Sequence, residues 1–273
     1  MYEKFCLDSL KGRRLQKNGS LIKPSTLKNY FAVLENLKKF EIFTKKTWLF
    51  NSSFKASKSS FQIEKRHYKN FYLKFTSFLY GRGCTDNYVG LQLKNLKSFF
   101  LYLNKNCGFF MGDFYLDFYT HSEEIPVTVL SQEQLKFMIQ NEEFEKQLSK
   151  HLKKSKDIFV VGCCIGLRFS DLIKLNPSNL EFMNGINYIV NISQKTNTCT
   201  RIKLPSYVFE IFQKYSKKQA TLLPPISLNQ FNKNLKKITE LAGWTYILEK
   251  KRSIRGQKQE CLTSLGKSYR FCD

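Results

Sequence analysis

The sequence is poor in acid. Its 273 residues hold 22 Asp and Glu against 45 Lys and Arg, a net charge of +23, which strains a compact state by self-repulsion unless a polyanion neutralises it. Histidine is scarcer still: His67, His121 and His151 are the only three, so none follows residue 151. No apolar run approaches the roughly 18 residues a membrane span needs, and no signal-peptide core follows Met1. The expectation is a cytoplasmic protein with no membrane partner. The eight cysteines form no Cys-x-x-Cys and no Cys/His set with zinc-finger separations. That leaves no recognisable metal site and points to reduced, structural thiols, with Cys163-Cys164 packed in an apolar helix. Gly81-x-Gly83 follows a helical stripe rather than a strand, which removes a phosphate-loop reading. There is no internal repeat, no low-complexity tract, and no sign of a cofactor or a small-molecule substrate.

What is present is material for real cores. Hydrophobic residues make up 42% and aromatics 15%, with 25 Phe and 14 Tyr, far from the composition of a disordered chain. The length suits two domains. Residues 1–120 carry 21 Lys and Arg against 8 Asp and Glu, so the first part is the more basic per residue, and a nucleic acid is the economical partner.

Helical periods organise that first part. Leu27, Tyr30, Phe31, Leu34 and Leu37 share one face of a helix after Pro24, with Ser25 as its cap. Tyr68, Phe71, Tyr72, Phe75, Phe78 and Leu79 form a second stripe, stopped at Gly81 and Gly83. Val89, Leu93, Leu96, Phe100 and Leu103 form a third, with Asp86 as a candidate cap. These predict a small bundle over residues 1–115. The periodicity then fails in an aromatic and acidic stretch ending at Pro126, read as a linker over 116–127.

A second domain, 128–273, opens with Ser131 and Gln134 as a capping box. Asp157 to Ile165 is apolar nearly all round, which predicts a central buried helix ended by Gly166. Ser170 is expected to cap a short helix that Pro177 cannot prolong. Alternation at Ile186, Tyr188, Val190 and Ile192, a polar turn at Lys195 to Thr198, and a return through Arg201 to Leu204 predict a β-hairpin. Helices resume over 205–215 and 227–242. The fold class expected is mainly α with a small β-hairpin or sheet, the second domain being α+β.

Arg168 is the conspicuous charge, alone in a turn between two helices of an apolar region. A guanidinium held there presents a planar fork to two phosphate oxygens, which a flexible lysine cannot do. An ion pair to Asp171 for purely structural reasons is the alternative.

At these residues the sequence resembles the tyrosine recombinases, or phage-type integrases. Their first catalytic motif reads Thr-Gly-Leu-Arg-x-Ser-Glu/Asp-Leu, and this chain reads Ile-Gly-Leu-Arg-Phe-Ser-Asp-Leu from Ile165 to Leu172. Gln194-Lys195-Thr196 matches the family's hairpin lysine. Leu130-Ser131-x-x-Gln-Leu, the helix leading to Gly243, and Ser25 to Tyr30 in a core-binding domain extend the likeness over nearly the whole chain. The resemblance implies a metal-free, two-step phosphoryl transfer on double-stranded DNA, through a 3′-phosphotyrosyl link. Arg168 would clamp the non-bridging oxygens, Lys195 would protonate the leaving 5′-oxygen, and Asp171 would support the Arg168 turn. It also implies self-association on DNA.

One part of the pattern departs. Where the family has a His-x-x-Arg motif and later the nucleophilic tyrosine, Leu262 to Phe271 offers neither histidine nor the expected spacing. Tyr269 lies too early, so no nucleophile is assigned and the catalytic domain is expected to be incomplete. Two readings follow: a site-specific recombinase of a mobile element or prophage, or a truncated, catalytically inactive DNA-binding remnant or regulator of recombination. A helical RNA-binding protein is a more distant third.

Overall fold

The computed structural model describes residues 1–50, 58–109, 112–194, 198–216, 220–262 and 268–271. In chain order the elements are α1 (Tyr2–Leu10), α2 (Pro24–Thr44), α3 (Lys58–Gly81), α4 (Asp86–Asn106), α5 (Gln132–Gln140), α6 (Glu142–Gln147), α7 (Lys150–Ile165) and α8 (Phe169–Leu172). There follow β1 (Leu180–Met183), β2 (Ile186–Ile192), β3 (Cys199–Lys203), α9 (Ser206–Ser216), α10 (Leu228–Leu241), β4 (Lys251–Ile254) and β5 (Gln257–Glu260). The molecule is mainly α with small antiparallel sheets, as the hydrophobic periods predict. It divides into two compact units, Met1–Pro126 with Lys250–Cys261, and Val127–Glu249 with Leu262–Asp273.

The first unit is a helical bundle closed on aromatic rings. Phe5, Phe40, Phe71, Phe75, Phe100 and Phe118 are fully buried. The α3 stripe supplies the centre: Phe71 stacks on Phe75 at 5.4 Å, and Phe40 of α2 meets Phe75 edge-on at 5.3 Å. Pairs of this kind contribute about 0.5–1.5 kcal/mol each beyond the area they bury. Two expected caps are displaced. Helix α2 starts at Pro24, with Lys23 as the capping residue and no side-chain cap bond. Its first-turn proline, which lacks an N–H, already suits that position, so Ser25 lies inside the helix.

Asp86 is likewise the first residue of α4 rather than its cap. Its buried carboxylate accepts the Tyr80 hydroxyl at 2.7 Å and the Arg255 and Gly256 amides at 2.8 Å each.

The expected linker over 116–127 and the boundary at 115 also need correction. Phe114, Tyr115 and Phe118 are buried in the first core, carried by a 3-10 turn at Phe114–Asp117. A turn of this kind buries its rings without showing a helical period, so the unit runs on to Pro126. Glu123 and Asn87 exchange hydrogen bonds, amide to side chain at 2.8 Å and side chain to carbonyl at 3.0 Å. Between them the backbone passes directly over α4. A Cβ built on Gly90 would lie 2.1 Å from the His121 carbonyl oxygen, so this helical position accepts glycine alone.

The continuous second domain expected over 128–273 is interrupted by β4–β5, which belongs to the first unit. Its turn, Arg255-Gly256, has both residues at positive φ, 54° and 78°, as two-residue hairpins with right-handed strand twist require. The docking is ionic. Glu123 accepts Arg252 Nε at 3.1 Å and the Ser253 amide at 2.6 Å, while Asp86 takes the turn amides.

Both carboxyls are held below their ordinary values. Burial alone would raise them, but it is outweighed at Asp86 by Tyr80, the Gly256 and Arg255 amides and His121, and at Glu123 by Ser253 and Arg252. A depressed carboxyl contributes stability that is complete above its unfolded pKa and lost as pH falls through the folded value. The hairpin is therefore expected to stay docked at neutral pH and to loosen below about pH 4. Amide hydrogen exchange at Ser253, Arg255 and Gly256 checks this; protection unchanged from pH 6 to pH 3 would refute it.

The second unit is built on α7, whose Ile158, Val161 and Ile165 are buried. Ser131 and Gln134 form the expected capping box, and Ser149 and Ser227 cap α7 and α10. Gly166 ends α7 in the left-handed region, at φ 65°, where a side chain is strained. Asp157 joins α7 to α9 by accepting Lys214 and the Tyr215 hydroxyl, each at 2.7 Å. Buried Lys156 beside it pairs with Glu145 of α6. The antiparallel sheet runs β1-β2-β3, one strand more than the hairpin expected.

Candidate functional site

The segment from Ile165 to Lys174 is a hard turn between two helices. Gly166 stops α7, Arg168 sits in extended backbone at φ −62° and ψ 144°, and α8 starts on the next residue. Arg168 thus occupies the capping position expected of Ser170, which falls inside α8 and makes no cap bond. The Asp171 and Leu172 amides bond to the Arg168 carbonyl at 2.9 and 2.8 Å, so the backbone at Arg168 is fixed by the helix it opens.

The Arg168 side chain is exposed and reaches across to the sheet. Its Nη1 donates to Ser193 Oγ at 2.7 Å. Among the described residues it forms no ion pair and no second hydrogen bond, which leaves most of its five donors open to solvent. The structural alternative, an Arg168–Asp171 ion pair, is therefore not what the turn contains. Asp171 is buried and takes a long hydrogen bond from Ser170 Oγ at 3.5 Å.

Ser193 follows the last ladder pair of the hairpin, Ile192 with Cys199. Its amide donates to the Thr198 carbonyl at 2.9 Å, closing the neck of the turn. Lys174 Nζ meets Gln194 Oε1 at 3.2 Å on the same neck. Lys195, the residue expected to act beside Arg168, lies outside the described residues, as do Thr196 and Asn197. What is described is that Arg168 is bonded to the hairpin two residues before Lys195 in the chain.

Other expectations resolve more simply. Cys163 is exposed rather than packed in the core, because α7 turns that face outward, while Cys164 meets the Tyr207 hydroxyl at 3.0 Å. Burial, and then this bond, hold the Tyr207 hydroxyl up at about 12. Residues 263–267, where the second motif is expected, lie outside the described residues. The residues after them run antiparallel to 246–248: Leu248 donates to the Tyr269 carbonyl at 2.7 Å, Phe271 to that of Tyr246 at 2.9 Å. Among the described residues no three His, Cys, Asp or Glu side chains gather as metal ligands, and no helix is long and apolar enough to cross a membrane.

Sequence reasoning missed Ser193 and Lys174. The only available signal was their place, one at the hairpin neck and one in the turn that follows α8.

No family model and no curated protein matches the sequence. Solved structures do share its fold. An XerH site-specific recombinase bound to a palindromic difH substrate, in a post-cleavage complex, is 13% identical with a TM-score of 0.57, the match covering 94% of this chain and 68% of that one. A lambda integrase dimer bound to a COC′ core site is also 13% identical, with a TM-score of 0.58 and coverage of 90% and 78%. A lambda integrase tetramer bound to a Holliday junction gives 13%, 0.58, 90% and 66%. The chain thus spans about two thirds of the length of several recombinase chains it matches, and its fold is that of the tyrosine recombinases.

Proposed function

We propose that this chain binds double-stranded DNA as a protein of the tyrosine recombinase type, with Arg168 holding a backbone phosphate at the mouth of the β2–β3 turn. The observation that carries this reading is the Arg168–Ser193 hydrogen bond. It brings an exposed guanidinium with open donors to the hairpin whose turn holds Lys195 in sequence, on a fold found in DNA-bound recombinases. In this reading Arg168 bridges the two non-bridging oxygens of one phosphate, a charge-assisted and bidentate contact. Lys195 stands ready to give its proton to a leaving 5′-oxygen, and Asp171 supports the turn from behind. The partner is a duplex, and copies of the chain meet on it.

The covalent step is a separate matter. In the family a tyrosine oxygen attacks phosphorus, the 5′-oxygen leaves with a proton, and a 3′-phosphotyrosine bond remains. These 273 residues contain no histidine after His151, and Tyr246 and Tyr269 sit on paired segments with no assigned role. A set of groups that acts as a unit fails together when one is missing. We therefore read these residues as gripping DNA through Arg168 and Lys195, with no nucleophile assigned among them, so that this polypeptide by itself forms no covalent link to DNA.

Arg168→Ala is expected to weaken duplex binding about 10-fold or more, the loss of a charged hydrogen-bonding group, as read by fluorescence anisotropy. An unchanged Kd would sink the phosphate role. Incubation with a nicked duplex should yield no DNA-linked protein on a denaturing gel. An adduct abolished by Tyr246→Phe or Tyr269→Phe would make the chain an active recombinase and identify its nucleophile.

A further inference from the structure

We infer that Ser193 is the positioning residue for Arg168, fixing the guanidinium in register with the β2–β3 turn. This deepens the phosphate-binding reading above and rests on it. An arginine on an exposed turn is free to sample many rotamers, and binding a phosphate with it must offset the cost of ordering the side chain. Arg168 has one restraint among the described residues, the bond from Nη1 to Ser193 Oγ at 2.7 Å.

The acceptor is itself held in place by burial and bonding. Ser193 is 7% exposed, and its amide is bonded to Thr198 across the neck of the turn. The strand behind it is anchored by Asn179 Nδ2, which donates to the Val190 carbonyl at 2.9 Å. The guanidinium is thereby tied to the strand that leads into Gln194 and Lys195, and the exposed Lys174–Gln194 bond adds a second, weaker strut. With Nη1 engaged, the Nε and Nη2 donors stay in the guanidinium plane and face away from that bond, the arrangement a two-oxygen contact requires. Ser193 touches no phosphate in this scheme and acts through Arg168.

A double-mutant cycle on the full chain tests this. Wild type, Ser193→Ala, Arg168→Ala and the double variant are compared for Kd on one short duplex at one fixed salt concentration. Ser193→Ala should weaken binding about 3- to 10-fold, the worth of a single hydrogen bond, and should add nothing once Arg168 is alanine. Ser193→Thr, which keeps the hydroxyl, should restore wild-type affinity. The ¹⁵Nε relaxation of Arg168 in the free protein should show a more mobile side chain in Ser193→Ala and a wild-type one in Ser193→Thr.

If Ser193→Ala costs as much in the Arg168→Ala background as in wild type, or leaves Arg168 mobility unchanged, the positioning role is wrong while the phosphate role stands. If Arg168→Ala alone binds as wild type does, both fall. Should Ser193→Ala not fold, a thermal melt reveals it, and Ser193→Cys, a weaker acceptor of the same shape, takes its place with an intermediate loss expected.

Discussion

Raising monovalent salt from roughly 50 to 200 mM is expected to weaken binding to a duplex by about 10³- to 10⁵-fold, given 6–10 phosphates neutralised. The excess of 45 basic over 22 acidic residues makes counterion release the main source of affinity. Each phosphate contacted frees condensed cations, so log Kd should rise linearly with log salt, with a slope near 0.9 per phosphate. Removing Arg168 should lower that slope by about one, because it deletes one such contact. Anisotropy titrations at four or five salt concentrations check both numbers. A flat dependence would mean that the net charge serves something other than a polyanion, whereas a steep one with a structured RNA binding more tightly than duplex DNA would make RNA the partner.

The largest effect on stability is expected at Asp157. Its carboxylate satisfies the buried Tyr215 hydroxyl and Lys214, and lies 3.8 Å from the ammonium of buried Lys156. Asp157→Ala strips an anion from the side of a buried cation and orphans a hydroxyl, a change in the class that costs about 3–5 kcal/mol. Lys214→Met should cost far less, since that side chain is 51% exposed and surface pairs contribute about 1 kcal/mol or less. The two tryptophans make the measurement local, because Trp48 belongs to the first unit and Trp244 to the second. In urea, the Trp244 transition should move to lower concentration in Asp157→Ala while that of Trp48 stays in place. Equal losses in the two variants would show that the network is not cooperative.

The contrast between α7 and the β4–β5 hairpin shows what could be read in advance. Helices announce themselves by period and cap, so α3, α4, α7 and α10 were legible from their apolar stripes, α5 from its Ser131 capping box, and the end of α7 from Gly166. Arg168 stood out for the same reason, as a lone charge between two helix signals in an apolar region, although an ion pair to Asp171 was an equal alternative until the structure showed the bond to Ser193 instead. The hairpin was not. Its second strand, Gln-Lys-Gln-Glu, is exposed along its length, so it carries no apolar alternation. Carboxylates 129 to 170 positions earlier in the chain hold it in place. Ser193 was hidden likewise, because its partner lies 25 residues away and a lone serine before a turn has many ordinary uses. Periodicity reports burial, whereas pairings between distant polar groups leave no period.

The late hairpin also sets a timetable for synthesis. As the chain leaves a ribosome, α1 to α4 and the Phe118 segment emerge together, yet the pieces that satisfy Asp86 and Glu123 are translated roughly 135 residues later, on the order of ten seconds at usual elongation speeds. Through that interval a nascent helical bundle displays two carboxylates awaiting amides and an arginine that do not yet exist. A fragment ending at Pro126 is frozen in that state, and a synthetic peptide spanning 250–261, added in trans, is the natural complement to it.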